Sequence, residues 1–188
     1  MRITTTILAA ATFALGGLVG AFALLASKPA AEHGGPLNPV FAEVQWPFPL
    51  DEWGKGKAFR CDAAHCGAEV NLYLRAKIGF CNCTTGVSDD PELERLSDFH
   101  LAGKQVAALG DGHPIAVHWM KGRSRGYSIG GANPPGKSAL SVAFNDRCDA
   151  MVAMVVTDHA QPSVIEPAVI EFLNSKTVLH WAEVTLGL

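Results

Sequence analysis

The sequence predicts an α+β fold: an antiparallel sheet with C-terminal helices packed on it, preceded by an N-terminal apolar helix. Three observations lead there. Residues 68–74 (AEVNLYL) alternate apolar and polar with the period of a half-buried strand. Residues 138–144 (SALSVAF) and 150–156 (AMVAMVV) are apolar, β-favouring runs separated by NDRCD, which is turn chemistry, so they predict a hairpin. Beyond them Ser163 and Glu166 have capping-box spacing, and Val164, Ile165, Ala168, Val169, Phe172 and Leu173 recur at helical intervals.

Residues 7–26 (ILAAATFALGGLVGAFALLA) carry no charge, and about 20 apolar residues are what a helix needs to cross a bilayer. This is a membrane-targeting segment. Its length and the absence of a good small-x-small site favour an uncleaved anchor over a cleaved signal peptide. Arg2 before the run places the N-terminus inside and the bulk of the chain outside, in a periplasmic or other extracytoplasmic space, or secreted if the segment is cleaved. Gly16 and Gly20 form a GxxxG through which two anchors could pair as a homodimer.

The division follows: 1–27 signal peptide or signal anchor, 28–57 tether and extended arm, 58–188 a single disulfide-stapled α+β domain. Residues 27–38 (SKPAAEHGGPLN) are rich in Pro, Gly and polar residues, the composition of a tether. Residues 39–50 (PVFAEVQWPFPL) hold three prolines among aromatics, so they run extended along a surface and are excluded from a central strand. Residues 51–57 read as a turn. A second strand is expected at 78–83, joined to the first by a turn at Arg75-Ala76-Lys77. Residues 84–94 form a loop ending in Asp89-Asp90-Pro91-Glu92, a helix start with acids in its first turn.

Further strands are expected at 104–109 and 114–120 around the turn Gly110-Asp111-Gly112, and at 126–129, followed by the loop GGANPPG at 130–136. The first C-terminal helix carries Pro167 in its opening turn, where a missing N–H is tolerable. A last helix, capped by Ser175, turns Val178, Leu179 and Ala182 inward.

A formal net charge of −3 argues against a broad nucleic-acid footprint, which needs a strongly basic face. Function must then be sought in the cysteines. Cys61, Cys66, Cys81 and Cys83 form a cluster that an oxidising compartment would convert to disulfides. Four cysteines allow three pairings. Residues two apart on a strand share a face, so Cys81 and Cys83 meet partners on a neighbouring segment more easily than each other, which favours bonds between the two halves. As thiolates the same four, with His65, would instead make a soft-metal site for copper or zinc. No Cys-x-x-Cys is present, which removes the usual thioredoxin-like and c-type haem motifs. The fifth cysteine, Cys148, is expected to be a buried free thiol at the start of a strand.

The stretch Phe59-Arg60-Cys61-x4-Cys66-Gly67-Ala68-Glu69-Val70 resembles a segment of exported proteins of the invasion-associated locus B type. The resemblance covers about a dozen residues, and it implies that Cys61 and Cys66 pair with each other.

Two further groups carry charge. Lys121, Arg123 and Arg125 alternate, which on a strand puts three cations on one side, as an anion or headgroup contact or as a solvated edge that resists aggregation. Asp89, Asp90, Glu92 and Glu94 lack calcium-loop spacing and fit a helix N-terminus. Taken together, the residues point to an exported, noncatalytic domain that binds a protein partner or assists assembly in the cell envelope. The alternative is a soft-metal carrier or thiol-redox factor using the four-cysteine cluster.

Overall fold

The computed structural model describes residues 39–103, 105–130, 137–158 and 160–188. The apolar run 7–26 with Gly16 and Gly20, the tether 27–38, most of the loop 130–136, Lys104 and His159 lie outside the described residues. Among the described residues eight strands form one antiparallel sheet: β1 (Ala42–Val44), β2 (Lys57–Cys61), β3 (Val70–Lys77), β4 (Val106–Ala108), β5 (His113–Val117), β6 (Met120–Ile129), β7 (Lys137–Asp146) and β8 (Asp149–Asp158). Their order is β1-β2-β3-β8-β7-β6-β4, with β5 also on β6, so β4 and β5 divide the outer edge of β6 between them. The described residues also form five helices: α1 (Ala63–Cys66), α2 (Asp90–Leu96), α3 (Phe99–Ala102), α4 (Pro162–Leu173) and α5 (Lys176–Leu186). Among the described residues no helix is long and apolar enough to cross a membrane.

The predicted hairpin is the centre of the sheet. β7 and β8 pair over their whole length, and Arg147 and Cys148 make a two-residue turn in which Arg147 has a positive φ of 52°. Both strands are buried on both faces, which is why AMVAMVV reads as a continuous apolar run rather than an alternating one. One face packs Leu72, Leu74, Leu140, Phe144, Met151 and Val155 under Ile165, Val169 and Leu173 of α4 and Val178 and Ala182 of α5. The other face is covered too. There Leu93 and Leu96 of α2 lie on Ala143, Ala150 and Val152, and Phe99 of α3 lies edge-on against Tyr127.

Several expectations need correction. Residues 78–83 are not a strand: Gly79 has φ 65°, and the Asn82 side chain accepts the Thr84 amide at 2.9 Å, building a turn. Arg75-Ala76-Lys77 is not a turn but the end of β3, held by pairing to β8. The run 114–120 contains the end of β5, a two-residue turn at His118 and Trp119, and the first residue of β6. That turn is tied down where the His118 amide donates to Asn174 Oδ1 at 2.7 Å, just past α4. β6 is one long strand rather than a piece at 126–129, and Gly122 lets it approach β7 because a Cβ there would collide with the Ala143 carbonyl. The capping box at Ser163 does not form. Instead Gln161 is the N-cap and Pro162 takes the first helical position, where its missing N–H costs nothing, leaving Pro167 inside the helix. By contrast Asp89 caps α2, accepting the Glu92 amide at 2.8 Å, and Ser175 caps α5.

On the face opposite α4 and α5 lies a buried ionic network. Arg75 of β3 is 1% exposed and Asp98, just before α3, is 2% exposed. The Arg75 guanidinium donates to both oxygens of Asp98 at 2.6 and 2.7 Å and to both oxygens of Asp51 at 2.7 and 2.8 Å. Lys77 Nζ reaches Asp98 at 2.9 Å and lies 5.0 Å from the centre of the Trp53 ring. Two cations thus meet two carboxylates, and the residues before β2, the strand β3 and the segment entering α3 are joined at one point. Removing one member of a buried pair strands the other charge, a cost of about 3–5 kcal/mol. Asp98→Ala is therefore expected to lower unfolding free energy by that amount, read by urea titration. Asp98→Ala with Arg75→Met and Lys77→Met should recover much of it.

The network also sets an acid limit. Burial pushes the Asp51 carboxyl up, but hydrogen bonds from Arg75 and the Trp53 amide, with the Arg75 charge, hold it below its ordinary value. Asp90 behaves alike: burial raises it, while Arg123 and the Gly112 amide bring it down further. A carboxylate with a depressed folded-state pKa stabilises the fold above its unfolded value, about 3.9, and that stability is lost as pH falls through the depressed value. The melting temperature should therefore hold between about pH 7 and pH 5 and decline below about pH 4, as followed by circular dichroism.

Candidate functional site

Cys61 closes β2, and the short helix α1 returns the chain so that Cys66 meets it. Asp62 caps that helix by accepting the His65 amide at 3.1 Å, and Gly67 ends it in the left-handed region at φ 73°. The two sulfurs are bonded, with Cα atoms 6.0 Å apart. This is the pairing implied by the resemblance, and it corrects the expectation of bonds between the two halves of the cluster. A helix of one turn brings these two cysteines together locally, before any neighbouring strand is reached. The His65 ring is turned to Asp62, Nδ1 to Oδ1 at 2.8 Å, and that hydrogen bond leads the effects that hold Asp62 below its ordinary pKa.

The second disulfide joins Cys83 to Cys148 across 65 residues. Cys148 is therefore not the free thiol; Cys81 is, and it is buried. The reason is the turn. Cys148 occupies the tip of the β7–β8 hairpin rather than the interior of a strand, so its side chain is offered to the loop that passes that tip. The loop is fixed there by several contacts: Asn145 Oδ1 accepts the Val87 amide at 3.0 Å, Asp149 Oδ1 accepts the Gly79 amide at 2.5 Å, and Cys81 N–H donates to the Cys148 carbonyl at 3.0 Å. Burial, followed by the nearby charges of Glu92 and Asp149, raises the Cys81 pKa. Its thiol donates to the Arg147 carbonyl at 3.1 Å.

The soft-metal reading of Cys61, Cys66, Cys81, Cys83 and His65 needs thiolates at one place. The structure does not bring them together: three of these four cysteines are consumed in separate disulfides, and His65 bonds to Asp62. Among the described residues no group of three or more His, Cys, Asp or Glu side chains is arranged to hold a metal ion.

Lys121, Arg123 and Arg125 do share one face of β6, but α2 lies against that face. Arg123 Nε is paired with Asp90, and Arg125 Nη1 with Glu94 at 2.7 Å and Asp90 at 3.4 Å. The acids read as a helix N-terminus are thus also the partners of these arginines. Only Lys121 of the three projects as an exposed cation.

A cleft of about 490 Å³ opens between the β5–β6 edge and the start of α4. Leu140, Pro162 and Gly126 supply apolar surface, and Asp111, His113, Ser163 and Glu166 supply polar groups. His113 Nε2 lies 2.9 Å from Glu166 Oε1, bridging strand and helix across the opening. By sequence Glu166 reads as a capping residue, and nothing local marks His113 as its partner. The two are 53 positions apart by number, and no local spacing signals that the β5 edge faces α4.

No family model and no curated protein matches the sequence. Among solved structures, the solution structure of cyanobacterial PsbP (CyanoP) from Synechocystis sp. PCC 6803 matches with a TM-score of 0.44 and 10% identity, over 73% of this chain and 79% of that one. A likeness of that size bears on neither activity nor partner.

The two disulfides close loops of very different length. In the loop-closure picture a bond spanning 65 residues contributes about 4 kcal/mol and one spanning 5 residues about 2 kcal/mol. Cys148→Ala should therefore destabilise more than the pair Cys61→Ala with Cys66→Ala, by about 2 kcal/mol in denaturant titration without reductant. Equal losses would show that the long bond is not formed in the folded protein.

Proposed function

We infer that this chain is an exported, noncatalytic α+β domain that binds a protein partner or assists assembly in the cell envelope. The observation that carries this reading is the disposition of the cysteines. Four of five are joined in two disulfides that staple loops to the sheet, which suits an oxidising compartment outside the cytoplasm. Residues 1–27 are the export signal or anchor, crossing the membrane through 7–26, and residues 58–188 carry the stapled domain behind the 28–57 tether and arm. The cleft beside α4 is the proposed docking place, since its apolar floor and convergent polar rim suit a side chain or short segment of a partner. Anchors paired through Gly16 and Gly20 would present two such domains side by side.

Photo-crosslinking in cells tests this. A photoreactive residue at Ser163 or His113 should give an adduct of defined mass, whereas one at Val184, exposed on α5, should not. Adding Glu166→Ala to the Ser163 probe should reduce the adduct about tenfold, the factor that roughly 1.4 kcal/mol of lost contact produces. Equal yields from Ser163 and Val184 would remove the cleft as the docking place. An N-terminus beginning beyond Ser27 in the mature protein would replace the anchor by a cleaved signal.

A further inference from the structure

Three cysteines meet at the tip of the β7–β8 hairpin, and they differ in exposure. Cys83 is exposed, Cys148 is half-buried, and Cys81 lies beneath them at 6% exposure. Cys148 is bonded to Cys83 yet hydrogen-bonded through its carbonyl to the Cys81 amide. This N–H···O=C contact of 3.0 Å makes Cys81 a direct backbone neighbour of Cys148. Cys148 therefore adjoins two cysteines, one through its sulfur and one through its carbonyl. The Cys81 sulfur is already at the turn, donating to the carbonyl of the residue before Cys148.

We propose that Cys81, Cys83 and Cys148 form a thiol–disulfide exchange unit, in which the bond to Cys148 passes from Cys83 to Cys81 and leaves Cys83 as an exposed, modifiable thiol. The proposal goes beyond partner binding and does not rest on it. Cys81 first gives its proton to water or hydroxide. Its thiolate then attacks Cys148 Sγ; the Cys81–Cys148 bond forms as the Cys148–Cys83 bond breaks, and the electron pair leaves on Cys83 Sγ, which takes a proton from water. One disulfide and one thiol are present before and after, so no oxidant or reductant is consumed.

The two states differ in what they show to solvent. With Cys83 bonded, the free thiol is buried and shielded from large reagents. With Cys81 bonded, the free thiol is at the surface, where an external disulfide could capture it. Burial raises the Cys81 pKa, which keeps the attacking thiolate scarce near neutrality and makes the exchange slow there. The carboxylates of Glu92 and Asp149 act in the same direction, and Arg95 opposes them.

The test is made on the full-length protein, purified without reductant. Samples are held at about pH 6.5, 7.5 and 8.5, returned to about pH 7, pulsed with a maleimide–polyethylene glycol too bulky to enter the fold, and mapped by mass spectrometry after acid quenching. The expected result is label on Cys83 together with Cys81–Cys148 linked peptides, the initial rate rising about tenfold per pH unit because thiolate is the nucleophile. A Cys83–Cys148 linkage unchanged at every pH and time, with Cys81 alone labelled or no label at all, would overturn the proposal. Cys83→Ser gives a second reading. In a glutathione buffer the folded variant should acquire a Cys81–Cys148 bond, and two persistent free thiols in it would also overturn the proposal. If that variant does not fold, labelling of the unmodified protein decides.

Discussion

The side chain of Arg75 sits where three parts of the chain that hydrophobicity alone would leave loosely placed converge on the sheet. It is bonded to both oxygens of Asp98 and of Asp51, and it is almost wholly buried. Removing such a charge from water is costly, and the cost is offset only when several charged hydrogen bonds form together. A one-sided contact would not suffice. The network therefore favours one placement of the segment before β2 and one placement of α3 over all near alternatives. Lys77 extends it toward Trp53 and Phe80, so the apolar contacts on that side depend on the same point.

This constraint explains why a sheet expected to be covered on one face is covered on both. α4 and α5 are amphipathic and pack by apolar contact, as their periodic residues indicate. The chain from residue 78 to 103 is different: it is rich in turns, and it packs Val87, Leu93 and Leu96 against the sheet from a loop and the short helix α2. It is held by bonds of other kinds. Arg75 fixes its far end at Asp98, Asp90 and Glu94 bind the arginines of β6, and Cys83 is tied covalently to the hairpin tip.

What could be read from the sequence follows the same division. β3, β7 and β8 announce themselves because their side-chain pattern is local, and the caps at Asp89 and Ser175 do so because capping acts within one turn. β6 does not: Met-Lys-Gly-Arg-Ser-Arg-Gly-Tyr has little intrinsic strand character, and it is extended because β7 lies on one side and β4 and β5 on the other. Arg75 and Lys77 looked like turn residues since charges there suggest solvent, and their partners Asp51 and Asp98 come from distant positions. The cysteines show both cases. Cys61, at the end of β2, and Cys66, at the end of α1, are brought together by the one helical turn between them, whereas Cys83 and Cys148 meet only after the hairpin and the loop have both formed. His113 and Glu166 were unreadable as a pair for the same reason.

The free cysteine follows from where the covalent bond lies. A loop tied to a hairpin tip by one disulfide is fixed at one residue, and its neighbours settle according to backbone bonds. Here the Cys81 amide bonds to Cys148 while Cys83 holds it covalently, so two residues of the loop contend for one residue of the turn. Arg147, with φ 52°, presents its carbonyl to both the Cys81 thiol and the Asn145 side-chain Nδ2. Two of these hydrogen bonds, from the Cys81 backbone N–H to the Cys148 carbonyl and from Asn145 Nδ2 to the Arg147 carbonyl, involve no thiol and hold the turn beside the Cys83–Cys148 bond. That independence allows the covalent link to change partners without unfolding the sheet beneath it, and it separates the chemistry at the tip from the ionic network that sustains the rest of the fold.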